Sequence, residues 1–204
     1  MHTLPCPAPA AHALPLDLHD DAAPLMLRRL KGDDFERAAH WLAQPRVNKW
    51  LYFGNDRRIL TPLQLRAMCA SQHNVIRLIC GGADLHPAGI IGVNDVSLSC
   101  RTAMIWIART VFRREDGARL AERAGIALLA ACFRHLGLAS VSGWAVDCNK
   151  ASLAAAHAVG FRPFGLQRAC HVIGATLHGR VHFDITREDF EARHPDVPAV
   201  DVEL

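Results

Sequence analysis

An α+β fold with a mixed, mostly antiparallel, twisted sheet is predicted by three features of the 204-residue sequence. Three strand-like runs follow one another in its middle, with connections short enough for antiparallel neighbours. One long helix with an apolar stripe then leads into a further strand, a crossover that sets its two flanking strands parallel. The chain closes with a short alanine-rich helix and two strands joined by a hairpin-length loop. The expected order is β-α-α-β-β-β-α-β-α-β-β, with no internal repeat.

Each element has its own signal. "PLMLRRL" (Pro24 to Leu30) alternates enough for a first strand. In "GDDFERAAHWLAQP" Asp33 can cap a helix on which Phe35, Ala38, Ala39 and Leu42 share a face, and Pro45 ends the run. "RVNKWLYFGNDRRIL" is aromatic and basic without clear period and reads as a loop or broken helix. Thr61, with Pro62 at the first helical position, opens a second helix to about Ser71. Strands over Asn74 to Cys80, Ala88 to Leu98 and Thr102 to Thr110 make the meander. From Gly117, the residues Leu120, Ala124, Leu128, Ala131 and Leu136 mark a helix packed on the sheet along one stripe, which Gly137 stops. "ASVSGWAV" is a strand, "NKASLAAAHAV" a helix, and "FGLQRACHVIG" with "GRVHFDIT" the closing pair. No composition break divides Leu25 to Glu188, so one domain over residues 24–188 is expected, between a mobile arm at 1–23 and a tail at 189–204.

Half of the residues are apolar, enough for one sizeable core; the formal charge of +3 is mild and its Lys and Arg are scattered, which argues against nucleic acid as a partner. The seven cysteines show no C-x-x-C spacing and are odd in number, a pattern of free thiols that fits a reducing cytoplasm. No run reaches the roughly 18 apolar residues of a membrane span. The first residues lack the basic leader and unbroken apolar stretch of a signal peptide. No metal ligand is assigned: His178 and His182 are four apart in a hairpin rather than on a helix with an intervening glutamate, and His157 and His171 read as surface or core.

The stretch "WAVDCNKASLAAAHAVGFRPFG", Trp144 to Gly165, places Asn149 and Ser152 where strand becomes helix, with Gly160 and Phe161 at the helix end. Alone, this describes a good N-cap and a common helix ending. Together with the element order and a long helix entered from the basic "FRREDGARLAER", it resembles the GNAT superfamily of CoA-dependent N-acyltransferases, and within it the RimJ/RimL-like branch. The resemblance covers about Leu25 to Arg187. It implies that the strand ending near Val146 splays from "MIWIA", leaving backbone at Trp106, Ile107 and Ala108 open to an extended pantetheine arm. It further implies that Asn149 bonds to this arm with Ser152 beside it, and that the pyrophosphate meets the amino terminus of the long helix. Candidates there are Arg113, Arg114, Gly117, Ala118, Arg119, Leu120 and Ala121. The family's Q/R-x-x-G-x-G/A loop fits in two registers, Asp116/Arg119/Ala121 or Arg114/Gly117/Arg119. Arginine side chains therefore either obstruct the phosphate, bind it directly, or form a solvated helix start.

Acetyl-CoA is the implied acyl donor and a primary amine the acceptor: a protein amino terminus, an amino acid, a polyamine or an amino sugar. The implied protein is a monomer or homodimer. The amine attacks the thioester directly while both substrates are bound, with a backbone N–H near Ile107 or Ala108 polarising the carbonyl. The tyrosine that many relatives use as acid is Ala156 here, and Thr102 and Ala103 stand where the branch often has a glutamate. Asp147 and Asp95 are the catalytic candidates, each equally readable as a turn or surface carboxylate. Cys148 reads as a packed thiol or a nucleophile. Trp50, Tyr52 and Phe53 line an acceptor pocket or anchor a helix, and Arg57 and Arg58 meet an anionic acceptor group. Two other readings stay open at this point: a GNAT-shaped binding module without turnover, and transfer from a carrier-bound acyl group.

Overall fold

The structure, a computed structural model, describes residues 24–53, 59–109, 119–197 and 202. One sheet holds β1 (Leu25–Arg28), β2 (Val75–Gly81), β3 (His86–Ser97), β4 (Thr102–Arg109), β5 (Ser140–Val146), β6 (Arg162–Ile173) and β7 (Thr176–Thr186), in the order β1-β2-β3-β4-β5-β7-β6. Every neighbouring pair is antiparallel except β4 with β5, the two strands on either side of the long crossover helix. This is the mixed, mostly antiparallel sheet the sequence predicts, with its meander at β2-β3-β4.

The helices are α1 (Asp34–Ala43), α2 (Pro45–Asn48), α3 (Pro62–Ala70), α4 (Leu120–His135), α5 (Lys150–Val159) and α6 (Arg187–Arg193). Each face of the sheet has its own core. On one face α4 packs Leu128, Cys132 and Phe133 against Ile91, Val93, Val141 and Ile185. Eleven residues of α4 are buried, more than a single stripe, because α5 and α6 cover its outer side with Val159 and Phe190. On the other face α1 and α3 set Phe35, Ala38, Leu42 and Leu65 over Ile76, Leu78 and Ile90.

Two short helices are additional to the expected order. Pro45 does end α1, yet its fixed φ also suits a first helical turn, and it starts α2. The residues expected to form a tail carry α6, capped by the Thr186 hydroxyl on Asp189 N–H at 3.1 Å. Its Phe190 is 2% exposed and stacks at 5.2 Å on Phe133, so this segment completes the α4 core.

The start of α1 also differs from expectation. Asp33 makes no side-chain cap bond. The neighbouring Asp34, first residue of α1, instead ties the helix start to what precedes it: its carboxylate accepts from Lys31 N–H at 2.9 Å and from Arg28 of β1 at 2.6 Å. Its side chain is 9% exposed, so this pair pins α1, and the loop that follows it, to the sheet. Burial raises the Asp34 pKa, but the bonds from Arg28 and Lys31 outweigh it and hold the carboxyl below the usual carboxylate range. A lowered folded-state pKa contributes stability that is present above the unfolded value, about 3.9, and is lost as pH falls through the folded value. Asp34→Asn is therefore expected to cost about 1.5–3 kcal/mol at neutral pH in urea unfolding, with the gap from wild type closing below about pH 4. A gap that is absent at neutral pH, or that widens in acid, contradicts the anchoring role.

Candidate active site

The parallel pairing of β4 with β5 covers only Thr102↔Ser140, Ala103↔Val141 and Met104↔Ser142. Both strands continue past that point, β4 paired to β3 as far as Arg109 and β5 paired to β7 as far as Val146. Beyond Met104 and Ser142 their facing edges part. The Ala103 and Ile105 carbonyls face β5, and the Ala108 carbonyl lies against Gly89 of β3. The alternation of the strand therefore turns the backbone of Ile107 to the opened edge and that of Trp106 and Ala108, expected there too, toward β3. Gly143 sits at the fork. A Cβ there would meet Phe183 Cε2 at 2.7 Å and Ile105 O at 3.3 Å, so only glycine lets the strands approach this closely before they diverge.

At the mouth of the fork Asn149 caps α5: its Oδ1 accepts from Ser152 N–H at 3.2 Å. That uses the carbonyl end of the side chain, and the Nδ2 donor has no partner among the described residues. Gly160 closes the same helix at φ +110. On the other side of the fork α4 begins at Leu120, whose side chain is buried, with half-buried Ala121 next; what these two offer a ligand is first-turn N–H groups, which have no partner within the helix. Arg119 precedes them at φ +63, a backbone conformation that favours glycine, and its Nε is 3.0 Å from Glu122 Oε2. In both registers of the expected phosphate loop Arg119 occupies a glycine slot, and its backbone behaves as one. Arg113, Arg114, Gly117 and Ala118 lie outside the described residues, as do Arg57 and Arg58.

The face of the sheet covered by α1 and α3 carries a group of side chains around the fork. On the β4 side, Trp106 Nε1 donates to Asn94 Oδ1 at 3.0 Å, and Phe53 meets the Trp106 ring edge-on at 6.0 Å. On the β5 side, the Arg180 guanidinium lies 4.0 Å over Trp144 and 4.8 Å over Tyr52. His171 Nε2 is 2.7 Å from the Lys49 carbonyl, which can only accept, so that nitrogen carries the proton. Nδ1 is then the acceptor for Arg180 Nη2 at 3.1 Å, and this 1%-exposed imidazole is neutral. The segment 49–53 thus spans the split sheet, touching β4 through Phe53, β7 through Tyr52 and β6 through the Lys49 carbonyl.

The two candidate carboxylates are not brought together. Asp95 sits exposed at φ +53 in a bulge of β3, beyond Asn94↔Met104 and so toward the end where β4 and β5 still pair. Asp147 follows Val146, and its carboxylate accepts from Gly179 N–H at 2.8 Å. That bond, with His178 beside it, keeps the carboxyl below the usual carboxylate range. Trp144, His171 and Arg180 were not singled out as a site from sequence. A period-two signal was available, because His178, Arg180 and His182 alternate along β7 and share a face.

The description "Acetyltransferase (GNAT) domain" matches residues 24–162, more than half of the chain. A comparison with curated protein sequences finds no significant match. Among solved structures, a probable acetyltransferase is similar at a TM-score of 0.66 and 22% identity, over 81% of this chain and 94% of its own. The spermidine N-acetyltransferase from Vibrio cholerae in complex with CoA and spermine gives 0.68 and 14%, over 81% and 97%. Mycobacterium smegmatis RimJ in complex with CoA-disulfide gives 0.65 and 17%, over 88% and 95%. The chain belongs to the GNAT acetyltransferase family and is an acyl-CoA-dependent N-acetyltransferase.

Proposed function

We propose that the protein transfers an acetyl group from acetyl-CoA to a primary amine by direct attack in a ternary complex, with the pantetheine arm lying in the fork between β4 and β5. The observation that carries this reading is the lapse of pairing after Met104↔Ser142 while both strands continue. Backbone groups there need partners, and the arm's own amides supply them as an added strand would. Asn149 Nδ2 donates to the arm, Ser152 holds the Asn149 carbonyl, and the pyrophosphate rests on the N–H groups of Leu120 and Ala121.

The thioester carbonyl then falls near Ile107, whose backbone N–H stabilises the oxyanion. The neutral amine forms the new C–N bond, the C–S bond breaks, and the amine's proton passes through water to solvent while the CoA thiolate leaves. Neither Asp147 nor Asp95 is given the proton: the first is bonded to the β7 backbone and has a lowered pKa, and the second stands toward the closed end of the fork. The acceptor enters over Trp106 and Trp144, beneath the segment 49–53. Its class is a peptide amino terminus, an amino acid, a polyamine or an amino sugar.

Calorimetry with acetyl-CoA, followed by thiol release with a panel of those four amine classes, tests the reading. Saturable binding and release with at least one class is expected; no binding, or binding without release across the panel, overturns it. Asn149→Asp separates the two tasks of that side chain, since it keeps the capping oxygen and loses the donor. CoA affinity is expected to fall about 2- to 10-fold with thermal stability unchanged. Equal affinity in the folded variant removes Asn149 from the site.

Arg119→Gly tests the phosphate end. Relief of the left-handed backbone, about 1–2 kcal/mol, exceeds the loss of an exposed ion pair, about 0.3–0.5 kcal/mol. The variant is expected to unfold a few degrees higher, at about 2–4 °C per kcal/mol, with CoA affinity retained. A tenfold loss of affinity identifies the guanidinium as a phosphate ligand and contradicts a backbone-made site.

A further inference from the structure

Where β5 ends, three donor side chains of different chemistry converge, and the proposed transfer uses none of them. Asp147 and Cys148 follow β5 directly, and His178 lies in β7. One carboxylate oxygen, the Cys148 sulfur and one ring nitrogen of His178 all lie within 4.8 Å of one another. His178 Nδ1 is 3.4 Å from Asp147 Oδ1. The cysteine is exposed, not the packed thiol the sequence suggested, so the group is open to solvent.

The frame around these donors is already fixed. Asp147 Oδ2 accepts from Gly179 N–H at 2.8 Å, and the Asp147 N–H donates to the Gly179 carbonyl at 3.0 Å. This pair of bonds ties the two chain segments and turns Oδ1 toward His178. A Cβ at 179 would stand 2.9 Å from Asp147 Oδ2 and 3.1 Å from the Gln167 carbonyl, so glycine leaves the carboxylate room to hold this position. A backbone N–H that orients a carboxylate from behind is the kind of outer-shell support metal ligands use.

The donor types decide the ion. Magnesium and calcium take oxygen ligands, whereas a thiolate, an imidazole and a carboxylate together suit zinc. Bonds of about 2.0–2.3 Å place ligand atoms around tetrahedral zinc roughly 3.3–3.8 Å apart. The Asp147–His178 separation already falls in that range, and rotation of the exposed Cys148 side chain closes the rest.

We infer that Asp147, Cys148 and His178 form a zinc site with three protein ligands and one position left for water, clipping the end of β5 to β7. The inference stands independently of acetyl transfer, because its readouts are binding and spectroscopy.

The full chain, stripped with a chelator, is titrated with zinc against a chromophoric competitor and then with cobalt(II). One tightly held zinc per chain is expected, with a sulfur-to-cobalt charge-transfer band and a thermal unfolding temperature that rises with zinc. Cys148→Ser and His178→Ala should each weaken zinc by at least about 10-fold, since loss of a ligand costs no less than loss of its support. Both should remain folded by circular dichroism, and Cys148→Ser should lose the band. Cys100→Ser, which removes another exposed thiol, should leave zinc binding as in wild type. A zinc equivalent that survives in both Cys148→Ser and His178→Ala, or a cobalt complex without the sulfur band, overturns the assignment.

Discussion

Beyond Met104 and Ser142, β4 and β5 part although each keeps its partner on the far side, β3 for one and β7 for the other. The fork therefore cannot close by sliding: a shift of either strand would break a full ladder to make a partial one. What remains is a set of strand-edge backbone groups inside the sheet, and buried backbone polar groups require partners. On the function proposed above a substrate meets the requirement, and a structural constraint becomes a binding site.

The two halves of the split sheet are held from both faces. Beneath, α4 packs against strands on either side of the fork, joining Ile91 and Val93 of β3 to Val141 of β5 and Ile185 of β7 in one core. Above, the segment 49–53 reaches Trp106 on one side and Arg180 with His171 on the other. The first face fixes the angle of the fork, and the second fixes what stands over its mouth. Arg28 and Asp34 anchor the helix that leads into that segment, so a bond remote from the fork helps to set what stands over its mouth.

The strand and helix order was readable because each element carries a local signal: the Thr61–Pro62 helix start, the short meander connections, and Asn149 and Gly160 bracketing α5. The splay itself came from family resemblance, since no local propensity says where pairing of two β-forming runs stops. What escaped was decided by tertiary partners. Asp33 and Asp34 are equivalent as letters, and only the position of Arg28 across β1 selects the second. The Trp144–His171–Arg180 group joins three strands that lie apart in sequence, and its alternating pattern on β7 acquires meaning only with the β5–β7 register. Phe190 looked like part of a tail because nothing local reveals the Phe133 ring it covers.

Amide hydrogen exchange along β4, with and without saturating acetyl-CoA, tests the central claim most directly. The amides between Ile105 and Arg109 that do not serve β3 should exchange fast in the free protein and slow markedly with acetyl-CoA, while Thr102 to Met104 stay unchanged. Protection of that stretch in the free protein, or no response to saturating donor, would contradict an inter-strand seat for the thioester arm.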